Sequence, residues 1–558
     1  MLREIMKSQI IEQILRPQSY DAKLGRRKYC VLILDKTAMK VVTASLAMRE
    51  VLELGVTHVE DLARSRQPLP GLEAIYIMSP TAESIELLIK DYTPKSKGVP
   101  RNSYKWANVY FLDPCEDDLF NKLSKSPAVK YIKTLKEFNM SFTPLEKQIF
   151  AVSNVDVSKT TAGLVSLCSS LNIYPTLRYH SDFARSAEIC YRVDQKLKDL
   201  QRSQPTMSMD NDAQLIIMDR SFDLISPLLH ETTFQSMATD ICDFKGGIYQ
   251  YTGSNRELKV ADIDEDDDIW VELRHKHIAE VLQRVSAITK ATTRSARCLD
   301  ESSSIRELGE TIRQMPSSQK KVSKLAAYIN LADDCRQQFF NDLEKIIILE
   351  QDMATGFTPE GERLKDSIAI GRLSTLILPA IPVETRLRLI LIFMLTIGKD
   401  KDEQFFNRLL HHTDIPESEY KVVSKMLFWR NEARSAHPHR QRPLCEEERF
   451  PSSRWEPKIR DVLQEAAEKK LDEREFRFMG QRPEVTRDQR IPSSARFASA
   501  LSGGRPIDRK RKIIIFIVGG MTYSEMKTAY EMSEATNTTI FLGSDVVLTP
   551  NDFLNTLR

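Results

Sequence analysis

The run Ile513-Ile514-Ile515-Phe516-Ile517-Val518 restricts the possible folds of this chain more than any other stretch. It has no polar face, and most of its residues are β-branched, so as a strand it must be buried on both sides, as the central strands of parallel sheets are. A strand of similar character, Gln214 to Met218, lies far upstream, and helical patterns flank both. A domain assembled from two distant pieces follows, with the chain between them as an insertion. The same alternation appears near the N-terminus. Apolar runs at Cys30 to Leu34, Ala74 to Met78, Val109 to Leu112 and Val129 to Leu135 are separated by helical stretches such as Met39 to Leu54 and Ala82 to Asp91. This predicts a first parallel α/β sheet covered on both faces.

From 248 to 465 the strand signal fades and helical periodicity takes over. Val322, Leu325, Ile329, Ala332, Cys335, Phe339, Leu343, Ile346, Leu349 and Met353 recur every three or four residues, the mark of a long helix with one apolar stripe. Pro316, followed by the cap residues Ser317 and Ser318, separates this helix from a preceding one over Ile305 to Met315, so a helical hairpin is expected. The resulting division is an N-terminal α/β domain over 1–139, the first segment of a second α/β domain over 140–247, a mostly helical inserted domain over 248–465, and a closing segment over 466–558. Asn431 to Arg454 and Gly480 to Lys512 read as polar loops, the second ending in a basic cluster that fits solvated linker charge.

Composition narrows the function classes. Of the 558 residues, 28% are charged and 41% hydrophobic, the balance of a folded globular protein. A formal net charge of +2 supplies no global field for nucleic acid. The longest apolar stretch, Leu389 to Leu395, falls far short of the ~20 residues that span a bilayer. Met1 to Leu15 is amphipathic and lacks the apolar core and small-residue cleavage site of a secretory leader. A cytoplasmic protein with only indirect membrane contact is expected. The eight cysteines show neither a CxxC pair nor zinc-ligand spacing, and read as reduced core thiols.

No catalytic set, metal cluster or cofactor cradle is expected. Gly519-Gly520 follows a strand, but the third glycine of a dinucleotide fingerprint and the Gly-Lys-Ser/Thr of a P-loop are missing. The acidic run Asp262 to Asp268 lacks the spacing of a calcium loop and suits the start of the helix carrying Trp270. His275 and His277, two apart on a helix, diverge by about 200°. Asp219, Asp223, His230 and Glu231 follow the strand Leu215 to Met218. They form either an acid/base set or a crossover loop tied down by the two aspartates, with Arg220 paired to one of them.

Several long blocks in collinear order carry a resemblance: Asp219 to Asp240 (DRSFDLISPLLHETTFQSMATD), Asp264 to Val281, Ser453 to Asp472, Ile513 to Glu531 and Phe541 to Leu554. On these the chain resembles the SM family of syntaxin-binding vesicle-fusion proteins, specifically the animal-type exocytic Munc-eighteen group. The resemblance implies an arch-shaped, three-domain, non-enzymatic protein without metal or cofactor, in which two parallel-sheet α/β domains accompany a mostly helical insertion. It implies a central cavity that grips the closed helical bundle of syntaxin through Asp35, Lys40, Glu60 and Arg66. Lys40 stands where the family has arginine, and Ala47 where synaptic relatives have a contacting lysine. Phe120, Ile132 and Glu137 would receive the syntaxin N-terminal peptide. The hairpin with Pro316 and Ile329 would admit a vesicle SNARE and template the SNARE bundle, with recruitment to the plasma membrane through SNAREs. The competing readings are a regulator of the same family at an endosomal or Golgi step, and an α/β nucleotide-binding enzyme using Gly519-Gly520 with Asp219.

Overall fold

The computed structural model describes the chain except for residues 22–25, 94–102, 153–155, 204–207, 243, 253–256, 299–323, 378–380, 433–449 and 481–509. It divides into two compact units. The first comprises Met1–Asp219, Glu465–Gly520 and Met532–Val546, and the second Arg220–Gln464, Met521–Glu531 and Val547–Arg558.

Two sheets build the first unit. Strands β1 (Cys30–Leu34), β2 (Val56–Asp61), β3 (Glu73–Met78), β4 (Ala107–Phe111) and β5 (Ile132–Glu137) form a parallel sheet in the order β2-β1-β3-β4-β5. The three central strands are buried along their whole length, whereas β2 and β5 at the edges are half exposed. Edge position explains why β2 gave no apolar signal: Thr57, His58 and Glu60 can face water there. The stretch expected as one strand from Val129 is divided. Pro127–Tyr131 forms a 3₁₀ turn with Pro127 at its start, where a fixed φ favours helix entry, and β5 begins only at Ile132.

Alternation assigns the sheet's two faces. Cys30, Leu32, Leu34, Ile75 and Ile77 pack with helices α1 (Leu2–Gln9) and α2 (Lys36–Ser45), in a core shared with Phe150, Leu215 and Phe516 of the second sheet and Leu164 of the helix Val157–Ser170. Val31, Ile33, Tyr76 and Met78 pack on the other side with Ile85 and Leu88 of α3 (Ala82–Asp91). Helix α4 (Asp117–Ser124) precedes β5.

The second sheet comprises β6 (Thr143–Pro144), β7 (Ile149–Ala151), β8 (Ile173–His180), β9 (Ser208–Asp219), β10 (Phe476–Met479), β11 (Lys512–Val518) and β12 (Thr539–Ser544), ordered β10-β8-β9-β11-β12-β7-β6. The apolar runs Gln214 to Met218 and Ile513 to Val518 lie side by side in parallel, Leu215 opposite Ile514 and Ile217 opposite Phe516.

The second unit is largely helical. It also holds a three-stranded antiparallel sheet over Phe244–Lys245, Ile248–Thr252 and Leu258–Asp262, which the sequence reading missed. Its short strands have a half-polar pattern that a helix-rich background obscures. Helix α5 (Phe234–Ile241) precedes this sheet and α6 (Asp268–Leu273) follows it. Within the acidic run, Asp267 caps α6 by accepting the Ile269 N–H at 3.1 Å, and Glu265 pairs with Arg274 at 2.7 Å.

The apolar stripe runs along a helix over 324–338, a π-turn at Phe339–Leu343, and α7 (Glu344–Thr355). Leu325, Ala332, Cys335 and Phe339 bury against Phe234, Trp270 and Tyr328. Ile346, Leu349 and Met353 bury in a second core with Leu389, Phe393 and Phe406. At ~1.5–3 kcal/mol per buried large side chain, this stripe holds its own unit together. Helices α8 (Asp366–Leu376) and α9 (Val383–Leu395) complete that second core. Ile329 stands apart at 40% exposure. Pro316, Ser317, Ser318, Val322 and the other arm of the expected hairpin lie outside the described residues. Among the described residues, no helix is long and apolar enough to cross a membrane.

Candidate functional site

At the end of β9, Arg220, Asp223 and His230 each hold structural partners. Arg220 reaches a partner 305 residues along the chain. Its guanidinium grips Glu525 in a bidentate pair at 2.7 and 2.8 Å and donates to the Asp223 carbonyl at 2.7 Å. Both side chains of the Arg220–Glu525 pair are almost completely buried. The Asp223 carboxylate accepts from the backbone of Ile225, Ser226 and Lys458 at 3.0–3.1 Å and from the Ser226 hydroxyl at 2.6 Å. Burial pushes its pKa up, but Arg220, Lys458 and the Ser226 bonds outweigh burial and hold it below the usual aspartate value. His230 turns to Glu350 of α7, 2.8 Å from Nδ1, and its backbone N–H donates to the same carboxylate at 2.9 Å.

The arrangement is a knot. Trp455 Nε1 donates to the Ser226 hydroxyl at 2.9 Å, and Gln351 accepts from the backbone N–H groups of Arg454 and Trp455 at 2.8 and 2.6 Å. Buried Asp352 pairs with both Arg454 and Arg372. Three of the blocks that carry the family resemblance, around Asp223, Trp455 and Glu525, thus meet in one buried polar network. Glu350, Gln351 and Asp352 were not anticipated as its anchors, because consecutive polar residues on a helix normally read as a solvated face.

The Gly519-Gly520 turn is likewise occupied. Both glycines have positive φ, 97° and 109°, and both N–H groups donate to the Asp545 carboxylate at 2.7 and 3.0 Å. An internal anion fills the place a phosphate would take. His275 and His277 face different neighbours. His275 lies 5.1 Å from the Tyr530 ring, and His277 stacks on Phe450 at 3.7 Å with Nε2 3.0 Å from the Ser452 hydroxyl. Burial first, then nearby Lys527, pushes His277 down to about 4; burial, Arg274 and Lys527 push His275 down to about 3.

The four residues assigned to the syntaxin cavity differ in what they can offer. Asp35 is used structurally. One oxygen caps α2 through Ala38 N–H at 2.7 Å, and the other accepts Ser79 N–H at 2.7 Å, tying the end of β1 to the loop after β3. Arg66 is buried. It donates to the Asp61 carbonyl at 2.7 Å and to Asp91 at 2.6 Å, folding its own loop back on the sheet. Glu60, partly exposed at the end of β2, accepts the Tyr104 hydroxyl at 2.8 Å and lies 3.8 Å from Arg66 Nε. Asp91 in turn accepts the buried Tyr76 hydroxyl at 3.0 Å. Burial, then the bond with Glu60, keeps Tyr104 protonated as a donor. Of the four, Lys40 is the exposed charge, on α2. Tyr76, Asp91 and Tyr104, which organise this corner, had no sequence signal beyond being polar residues near apolar runs.

Ile132 and Glu137 lie on β5, an edge strand of the same sheet, and Phe120 lies on α4, the helix before it. Phe120 on α4 is 46% exposed. Ile132 is partly buried against the sheet core. Glu137 is exposed, with one oxygen accepting Cys115 N–H at 2.9 Å. Ile132 and Glu137 begin and end β5, so they stand about 16 Å apart at strand rise. They border a strip suited to an extended segment of several residues.

Comparison with known proteins supplies the class of this protein. The Sec1 family model matches residues 30–556, and the chain belongs to the Sec1 family. It is 30% identical to the protein transport protein sec1 of Dictyostelium discoideum, over the whole of this chain and 98% of that one. It is 25% identical to the SNARE-interacting protein KEULE of Arabidopsis thaliana, over 100% of this chain and 95% of that one. Among solved structures, the Unc18–syntaxin 1 complex from Monosiga brevicollis matches with a TM-score of 0.83 at 25% identity, covering 100% of this chain and 99% of that one.

Proposed function

We propose that this protein binds a syntaxin-type SNARE and regulates SNARE-driven membrane fusion at an exocytic step, recruited to the plasma membrane through its partner. The observation that carries the reading is the end-to-end likeness to the Unc18 chain of the Unc18–syntaxin 1 complex. The sec1 and KEULE relatives, named for protein transport and SNARE interaction, support it. The exocytic step and the animal-type subgroup rest on the motif resemblance alone. Lys40 and Glu60 are the cavity contacts in this proposal, with Asp35 and Arg66 holding their loops in place. Phe120, Ile132 and Glu137 border the peptide strip, and Ile329, with Pro316, serves the vesicle-SNARE contact.

Calorimetry of the full chain with the cytoplasmic region of a plasma-membrane syntaxin tests this. A 1:1 complex that weakens when the syntaxin N-terminal peptide is removed is expected, and no complex at tens of micromolar would sink the reading. Regulation at an endosomal or Golgi step is the second reading: the chain is 21% identical to the vacuolar protein sorting-associated protein 45 of Saccharomyces cerevisiae over 95% of its length, and the SM protein Vps45 in complex with the Qa SNARE Tlg2 has a TM-score of 0.80 at 17% identity. Parallel titration with an endosomal syntaxin separates the two.

A further inference from the structure

Six of the eight cysteines lie among the described side chains, all as free thiols. Four have no thiol partner in view. Cys30, Cys168 and Cys190 are buried, and burial pushes Cys30 up to about 11 and Cys168 up to about 12. Cys115 is half-buried, and its pKa is raised first by burial and then by Glu137, Glu116 and Asp117. The other two form a pair. Cys242, just past the end of α5, is partly exposed, and its sulfur lies 3.5 Å from that of Cys335 on the buried side of helix 324–338. No other two free thiols are paired among the described residues.

We propose that Cys242 and Cys335 form a dithiol site that a peroxide-class oxidant converts to a disulfide. The geometry divides the roles. Cys242 is the member that solvent reaches, so its thiolate attacks the peroxide. An S–O bond forms as the O–O bond breaks, and the departing hydroxide leaves as water. The Cys335 sulfur, already in contact, then attacks the Cys242 sulfur. The S–S bond forms, the S–O bond breaks, and the released hydroxide takes the Cys335 proton as a second water. Two thiols are oxidised and one peroxide is reduced to two waters.

Cys335 keeps its proton until that step. The hydrogen bond with Cys242, and then burial, holds its pKa well above the ordinary thiol range. The next residue back, Asp334, accepts the Tyr249 hydroxyl from the antiparallel sheet. The disulfide would add a covalent tie beside this contact, joining helix 324–338, which carries Ile329, to the segment between α5 and the sheet. It closes a loop between residues 93 apart in sequence, long enough for a large effect on the unfolded chain.

The test uses the full-length protein, treated with a small excess of hydrogen peroxide, blocked with N-ethylmaleimide, digested without reductant and mapped by mass spectrometry. The expected product is a Cys242–Cys335 cross-linked peptide, reversed by dithiothreitol, in protein whose unfolding midpoint is raised by roughly 5 °C. Cys335→Ala should leave Cys242 as a sulfenic acid trappable by dimedone. Recovery of both cysteines as maleimide adducts while Cys115 is oxidised overturns the proposal, and this reading of the wild-type protein does not depend on any variant folding. The outcome is also independent of whether the protein binds a syntaxin.

Discussion

Two charge-rich corners use the same residue types to opposite ends. Around Arg220, Asp223, Glu350 and Asp352, every named charge is buried and its acceptors are filled from within the unit. Around the five-stranded sheet, Arg66 and Asp91 are consumed internally, but Glu60 on the edge strand β2 is only partly covered, and Glu137 on the opposite edge strand β5 and Lys40 on α2 face water. The first corner fixes one packing arrangement. The second supports a few charges on an organised base and leaves them available. A charged signature segment therefore does not mark the working surface, since desolvated and paired groups have nothing left to offer a partner.

The contrast can be broken most forcefully at Glu525. Glu525→Gln removes the carboxylate charge from the buried bidentate pair with Arg220 and should cost ~3–5 kcal/mol. Urea unfolding followed by fluorescence of buried Trp455 would read it. Unchanged stability would mean that the buried corner is not architectural. Acid should open the second unit next. His275 and His277 have folded pKa values of about 3 and about 4, below the ordinary value of 6.5. The unfolded chain therefore binds more protons between those values, so stability is present above pH 6.5 and is lost as pH falls toward 4. Allowing for partial exposure, the two together should account for roughly 3 kcal/mol between pH 7 and 4.5. His275→Phe should flatten that slope in chemical denaturation.

The sheet edge should behave in the reverse manner. Phe120→Ala removes an exposed ring, so folding should change by less than ~0.5 kcal/mol, while affinity for a syntaxin N-terminal peptide should fall by about 2 kcal/mol. Isothermal titration measures the second, and equal affinity would remove Phe120 from the strip. Lys40→Glu should have the smallest effect, about 1 kcal/mol in affinity for the closed bundle, seen chiefly as a slower on-rate that recovers at high salt. Reversing Glu60 is a poorer probe, because a lysine there would face Arg66 and lose the Tyr104 bond.

Much of the fold was legible because fully buried strands have no polar face to confuse the pattern: Cys30–Leu34, Glu73–Met78 and Lys512–Val518 fall where the apolar runs predict. The edge strand Val56–Asp61 and the small antiparallel sheet were not, because half-exposed strands mix polar with apolar residues. The stripe from Leu325 to Met353 was visible, but periodicity cannot say what covers it, and the unit's own cores do. The roles of Asp35 and Arg66 were hidden for a related reason. Whether a loop charge points outward or caps a helix depends on backbone positions that come from elsewhere in the chain.

The pairing of β9 with β11 has a consequence during synthesis. The strand ending at Asp219 emerges from the ribosome long before its neighbour Lys512–Val518, and the Arg220–Glu525 pair joins residues 305 apart. At ~5–20 residues per second, a nascent chain exposes an apolar, unpaired strand edge for tens of seconds. Chains cut short before Thr539–Ser544, the strand that joins β11 to β7, leave the sheet in two pieces. Such products are natural clients of chaperones, and early stop codons far from any partner-binding residue should remove the protein through quality control.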